Sequence, residues 1–141
     1  MIRKLNNTDL DEVIKIWLNE NIKTHFFISP EYWKSNETTV KNLLPLAEVY
    51  IYEENKKIIG FIGLDNDYIA GIFIKSDEQS KGIGKKLLDF IKTFKLELNL
   101  NVYIKNIKAV NFYKRENFKI KKETVDPNTG EKEFFMIWKK E

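Results

Sequence analysis

The run Ile72-Phe73-Ile74-Lys75-Ser76-Asp77-Glu78-Gln79-Ser80-Lys81-Gly82-Ile83-Gly84-Lys85-Lys86-Leu87-Leu88 constrains this chain more than any other stretch. It begins apolar and β-branched, passes a polar turn, and becomes a helix with Gly82 and Gly84 at its start. A strand that enters a helix through glycines presents free backbone N–H groups at the positive end of the helix dipole, where a phosphate can bind. Lacking Cβ, glycine lets a pyrophosphate come close to the backbone. A glycine in a helix costs on the order of 1 kcal/mol relative to alanine, so a pair of them calls for a use. Two familiar phosphate loops are excluded. The P-loop fails because no Gly-Lys-Ser/Thr follows at the required spacing, and the dinucleotide fingerprint fails because Leu87 stands in place of its third glycine.

The rest of the composition is that of an ordinary globular chain. Its 141 residues, 43% hydrophobic and 32% charged, are enough for one domain, residues 1–141, with its own core. Cysteine is absent, which excludes disulfides, thiolate metal sites and a cysteine nucleophile. The N-terminal residues lack the apolar run of a signal peptide and no stretch reaches membrane-spanning length, so a cytoplasmic protein, monomeric or homodimeric, is expected. The net charge of +3 comes from interspersed basic and acidic residues, which argues against a nucleic-acid or membrane partner.

In chain order, Ile2–Leu5 reads as an edge strand. Thr8 and Asp11 approximate a capping box for a first helix that runs to about Asn21. Ser29 and Pro30 have the pattern of an N-cap and first residue of a second helix, which ends before Pro45. Between these helices lie the single histidine, His25, and an aromatic cluster of Phe26, Phe27, Tyr32 and Trp33. This cluster is either an apolar seam or an acceptor pocket, with His25, Phe27 and Tyr32 as candidate substrate contacts. Val49–Glu53, Ile58–Leu64 and Tyr68–Ile74 follow as an antiparallel meander, and Gly71 suggests a bulge that frees backbone groups just before the phosphate loop. The glycine helix shows one apolar face, Ile83, Leu87, Leu88, Ile91 and Phe94. Lys81 and Lys85 lie near enough to its start to reach phosphate oxygens, whereas Lys86 reads as solvated surface. Leu98–Ile104 is a strand expected to pair parallel with the strand ending at Ile74, through a right-handed crossover. Asn106 can cap a fourth helix, and a terminal hairpin turns around Asp126–Gly130.

Gln79-x-x-Gly82-x-Gly84 resembles the acetyl-CoA signature of the GNAT superfamily, the acyl-CoA-dependent N-acyltransferases. Asn106-x-x-Ala109-x-x-Phe112-Tyr113-x-x-x-Asn117-Phe118 resembles that superfamily's second signature, departing from it at Asn117, where glycine is usual. Asparagine also tolerates the left-handed conformation that ends a helix, so the departure is mild. The resemblance covers almost the whole chain. It implies an α/β (α+β) fold, a mixed central sheet of about seven strands flanked by about four helices. It implies acetyl-CoA as co-substrate, no metal, and direct transfer to the primary amine of a small molecule or peptide. Ile72, Phe73, Ile74, Gln79, Ser80, Lys81, Gly82, Ile83, Gly84, Lys85 and Asn106 would then contact the cofactor, at a strand that splays from its neighbour to admit it.

Backbone N–H groups near Phe73 and Ile74 are candidates to stabilise the thioester oxygen. Tyr113, by its place in the second signature, is the candidate proton donor to the leaving sulfur. No general base stands out: His25, Glu31, Glu78 and an ordered water are all open. A catalytically weak CoA-binding module of the same fold is the alternative. An RNA-binding module is disfavoured by the scattered charge.

Overall fold

The computed structural model describes all 141 residues. Its elements are β1 (Ile2–Lys4), α1 (Leu10–Thr24), α2 (Pro30–Leu43), β2 (Glu48–Glu54), β3 (Lys57–Asp65), β4 (Tyr68–Ile74), α3 (Ile83–Lys92), β5 (Glu97–Tyr103), α4 (Ile107–Arg115), β6 (Lys119–Val125) and β7 (Lys132–Lys139). The strands form one seven-stranded mixed sheet in the order β1-β2-β3-β4-β5-β7-β6, flanked by the four helices. The expected fold class, the meander and the terminal hairpin are all present.

Alternation along the strands divides the core between two faces. Val49, Ile51 and Phe61 pack with Val13, Ile16, Trp17 and Trp33 of α1 and α2. Tyr50, Tyr52, Ile62 and Leu64 point the other way and pack with Leu87, Leu88, Ile91, Val110 and Tyr113 of α3 and α4. The sheet is therefore covered on both sides, and anything that enters it edge-on meets both cores.

Three local expectations are corrected. The capping box closes at Asn6 and Asp9 rather than at Thr8 and Asp11: the Asp9 carboxylate accepts the Asn6 N–H at 2.7 Å. Arg3 on β1 fixes it there, donating to both Asp9 oxygens at 2.8 and 3.0 Å while also bonding Glu53. This pairing holds the Asp9 carboxyl below the usual range. The first helix continues past Asn21 to Thr24, because the Asn21 side chain turns inward instead of ending it. The third helix stops at Lys92, so Phe94 lies beyond it, partly exposed and packed on Tyr50 and Phe90. By contrast, Ser29 accepts the Glu31 N–H with Pro30 beginning α2, and Asn117 adopts a left-handed φ of 71° after α4, as the sequence suggests.

Two features open the middle of the sheet. Gly63 faces Gly71 while Leu64 faces Ile69, so Ala70 is bulged out of the β3–β4 ladder. Strands β4 and β5 run parallel but pair only at Tyr68 and Asn99. Beyond that point they part, leaving a wedge that widens toward the C-terminal end of β4.

Candidate active site

The loop that follows β4 combines a 3-10 turn at Ser76–Glu78 with left-handed backbone at Ser80 (φ 65°) and Gly82 (φ 80°). Gly82 is the N-cap of α3, and the first helical bond runs from the Lys86 N–H to its carbonyl. The amides of Ile83, Gly84 and Lys85 therefore have no helical partner and point out of the helix start. A Cβ built on Gly84 would lie 3.6 Å from Phe112 and 4.0 Å from Ile72, ordinary contact distances. The chain's own packing does not require glycine at this position. The space a side chain would fill is part of the cavity, and a cradle of free amides there suits a pyrophosphate.

That cavity, of about 420 Å³, lies between the loop, α3, α4 and the parted end of β4. Ile72, Ile74, Gln79, Ser80, Gly82, Ile83, Gly84, Lys85 and Asn106 all line it. Two expected contacts fall outside. Lys81 is exposed and paired with Glu78 at 2.9 Å. Phe73 turns its ring to the opposite face and stacks on Phe61 at 5.2 Å. Its peptide is also directed away from the wedge. The Lys75 N–H donates to the Ile59 carbonyl, which makes Gly60 and Ile74 a pair without mutual hydrogen bonds, and Phe61 and Phe73 a bonded one. The N–H groups that face the wedge therefore belong to Ile72 and Ile74. Lys108 and Arg115 of α4 were not anticipated, yet both line the cavity. They sit a helical repeat of two turns apart on one face, a signal that a charged helix surface obscures.

Gln79, besides lining the cavity, holds the loop in place. Its side-chain amide donates to the Ile74 carbonyl and to Glu20, both at 2.9 Å. Glu20, buried on α1, also accepts the Ser76 hydroxyl at 2.9 Å and the Ser76 N–H at 3.2 Å. The loop is thus pinned from below by one carboxylate.

A second cavity, of about 250 Å³, opens on the α1–α2 side of the wedge. His25 lines it together with Trp33, Tyr68, Tyr103 and Glu133. Phe27 and Tyr32 do not: Phe27 packs edge-on against His25 and Tyr103, and Tyr32 against Trp33 at 4.9 Å. They support the wall from behind. His25 is a strut. The Asn106 Oδ1 accepts the Ala109 N–H, so its Nδ2 donates to His25 Nε2 at 3.3 Å. The other ring nitrogen, Nδ1, then carries the proton and donates to Asn21 Oδ1 at 3.1 Å. Burial pushes this imidazole down to about 4, and it stacks on Trp33. Both nitrogens are occupied, so His25 has no lone pair to offer a substrate. Asn106 serves both of its expected roles, capping α4 and lining the cavities.

Tyr113 borders both cavities, with Ile72, Asn106 and Ala109. It is buried against Phe112 and Phe118, and burial raises its phenol, with a smaller contribution from Tyr68. The hydroxyl therefore remains a donor across the working pH range.

A family model described as the acetyltransferase (GNAT) domain matches residues 45–120. The chain belongs to this family. The GNAT domain so matched runs from just before β2 to the first two residues of β6 and includes both signatures. Peptidyl-lysine N-acetyltransferase YiaC of Escherichia coli is 31% identical over 122 residues, covering 85% of this chain and 84% of that protein. Peptidyl-lysine N-acetyltransferase YjaB of the same organism is 32% identical over 120 residues, covering 84% and 82%. The solution structure of apo YjaB superposes with a TM-score of 0.86 at 28% identity, covering 98% of this chain and 96% of that one. The fold is also that of yncA from Salmonella typhimurium, whose structure contains acetyl-CoA (TM-score 0.69, 14% identity, 99% and 92% covered). This GNAT protein is an acetyl-CoA-dependent N-acetyltransferase that acts on amine acceptors. A module that merely binds CoA is not favoured. No cluster of three or more metal-ligating side chains is present, and no helix is long and apolar enough to cross a membrane.

Proposed function

We propose that residues 1–141 act as one catalytic unit that acetylates the ε-amine of lysine in a peptide or protein, with Tyr113 as the proton donor. The observation that carries this reading is the position of Tyr113 at the junction of the two cavities. One cavity has the free amides and cations suited to a phosphate-bearing carrier, and the other has aromatic walls and a carboxylate suited to an aliphatic ammonium. The names of the relatives, both peptidyl-lysine N-acetyltransferases, point to the same acceptor.

When bound, acetyl-CoA supplies an activated acyl group. The Ile83, Gly84 and Lys85 amides, with Arg115 and Lys108, would hold its anionic end. The Ile72 and Ile74 N–H groups face the wedge and can receive the developing oxyanion. Tyr113, kept protonated by burial, gives its proton to the sulfur. The aromatic wall excludes water while the amine approaches from the α1–α2 side.

The test is thiol release with a single-lysine peptide blocked at its N-terminus, against the same peptide with the ε-amine already acetylated and against free small amines. Turnover confined to the lysine peptide is expected. Equal turnover of a small amine and no reaction with the peptide would overturn the acceptor assignment.

A further inference from the structure

We propose that Glu133 is the group that docks the acceptor's ammonium and removes its proton before acetyl transfer. This inference rests on the reading of the second cavity as the acceptor side. Glu133, the second residue of β7, lies opposite Tyr103 of β5, and its side chain is the one carboxylate in that cavity's wall. No lysine or arginine lines the cavity, so the chain itself does not neutralise this charge. Burial is the main influence on its carboxyl and raises it, with the charge of Asp126 adding to the effect and no hydrogen bond opposing it. An unpaired, half-buried carboxylate is costly to keep, and such a group among aromatic rings selects for a cation.

The competing bases are already engaged. Both His25 nitrogens are bonded to asparagines. Glu20 holds Ser76 and Gln79. Asp126 accepts the Tyr103 hydroxyl at 2.6 Å and the Asn128 N–H at 2.9 Å. Glu31 and Glu78 line neither the acceptor cavity nor its junction with Tyr113. Glu133 remains. The titratable groups that face it are Tyr68 of β4, Tyr32 of α2, Tyr103 of β5, Tyr113 of α4, His25 after α1 and Asp126 before β7. The tyrosines are raised, His25 is held neutral and Asp126 is occupied by Tyr103 and Asn128, so Glu133 is the carboxylate there left without a partner.

The ammonium passes one proton to Glu133, which later releases it to solvent. The neutral nitrogen then forms the N–C bond to the thioester carbonyl. The C–S bond breaks, and the sulfur leaves with the electron pair and takes the Tyr113 proton. Of the two protons on the attacking nitrogen, one stays as the amide N–H and the other returns to the Tyr113 phenolate. Burial raises a carboxyl and lowers an amine, which narrows the gap the first transfer must cross.

The decisive variant is Glu133→Gln, which keeps size and strand pairing. With the blocked single-lysine peptide, kcat/KM should fall roughly 100- to 1,000-fold, within the range for a positioned base. Acetyl-CoA affinity should stay within about twofold, which a tenfold scale in free energy treats as unchanged. The acidic limb of the wild-type pH profile should vanish, leaving a rate that climbs with amine deprotonation. Calorimetry with the peptide and desulfo-CoA should show weaker docking, a readout independent of turnover. Glu133→Asp should recover part of the rate. If Glu133→Gln folds and keeps the wild-type pH profile, the proposal fails. Should that variant not fold, wild-type enzyme with an amine that is neutral at pH 7 decides: the acidic limb must disappear, and its persistence refutes the role. An enzyme that turns over other amines but no lysine peptide would refute the lysine reading alone, and Glu133→Gln would then be judged on that amine.

Discussion

Replacing Gly84 by alanine should move stability and cofactor affinity in opposite directions. Gly84 is the second residue of α3, and a Cβ there meets Phe112 at 3.6 Å without a clash. Removing a glycine from a helix gains up to about 1 kcal/mol, less in the first turn, so the ligand-free protein should be stabilised by about 0.5 kcal/mol. For a chain of this size that corresponds to a rise in Tm of about 1–2 °C. The same methyl occupies the cradle beside the free amides of Ile83, Gly84 and Lys85. Displacing one amide from a charged oxygen forfeits about 1.5–3 kcal/mol, the worth of a hydrogen bond to an ionised group. Acetyl-CoA binding should therefore weaken about tenfold or more. Gly84→Val should weaken it further, with the helix gain largely lost to β-branching. Calorimetric titration with acetyl-CoA and thermal unfolding without it measure the two effects on the same samples. Unchanged affinity in a folded Gly84→Val protein would refute the placement of the phosphates. A destabilised Gly84→Ala would show that the chain itself needs glycine.

Tyr113→Phe should reduce kcat by roughly ten- to a thousandfold with acetyl-CoA affinity intact, and the alkaline limb of the rate profile should change; wild-type turnover where chemistry limits the rate would make Tyr113 a packing residue. His25 gives a stability signature. Its imidazole sits at about 4 in the fold against 6.5 unfolded, so between those values the unfolded chain binds a proton that the folded one refuses. Stability should hold above pH 7 and fall as pH drops from 6.5 through 4, by up to about 3 kcal/mol. Denaturant titrations of His25→Gln across that range should lack this component, and an identical slope in the variant would refute the neutral, buried strut. Glu20→Ala should loosen the phosphate loop, weakening acetyl-CoA binding about tenfold and costing about 1–3 kcal/mol of stability. Hydrogen exchange at residues 75–82 should accelerate, and unaltered exchange would show that the loop holds itself.

The two signatures and the order of strands and helices were legible because local rules decide them: glycine at a helix start, asparagine at a cap, alternation in a meander. What escaped depends on which strand neighbours which. That β7 inserts between β5 and β6 is not written in the hairpin itself, yet it is what carries Glu133 to the second cavity. A glutamate at the head of an apolar strand reads as solvent-facing until its neighbour is known. Phe73 and Ile74 differ in the same way. The run Ile72–Ile74 looks uniform, but register sends the Phe73 peptide into the β3 ladder and leaves the Ile72 and Ile74 amides for the wedge. Of His25 and the aromatic cluster, only His25 and Trp33 reach the second cavity, because α2 turns Tyr32 and the preceding loop turns Phe27 behind them.

The wedge between β4 and β5 raises a question of support, since strands with a single paired position cannot hold their spacing by ladder bonds. Consecutive residues of α1 supply the answer. Glu20 reaches one lip, bonding Ser76 and Gln79 in the loop that leaves β4. Asn21 reaches the other through His25 to Asn106, which caps the helix that follows β5. Asn21 is itself anchored, donating to the Trp17 carbonyl at 2.9 Å. Each hydrogen bond contributes only about 1 kcal/mol net, but an unmade one in this buried setting costs more, so the network tolerates one arrangement. The helix thus fixes from one face of the sheet an opening used from both. Two strands that pair at one position and then part need such a brace outside the sheet, and the side chains at positions 20 and 21 of one helix provide it.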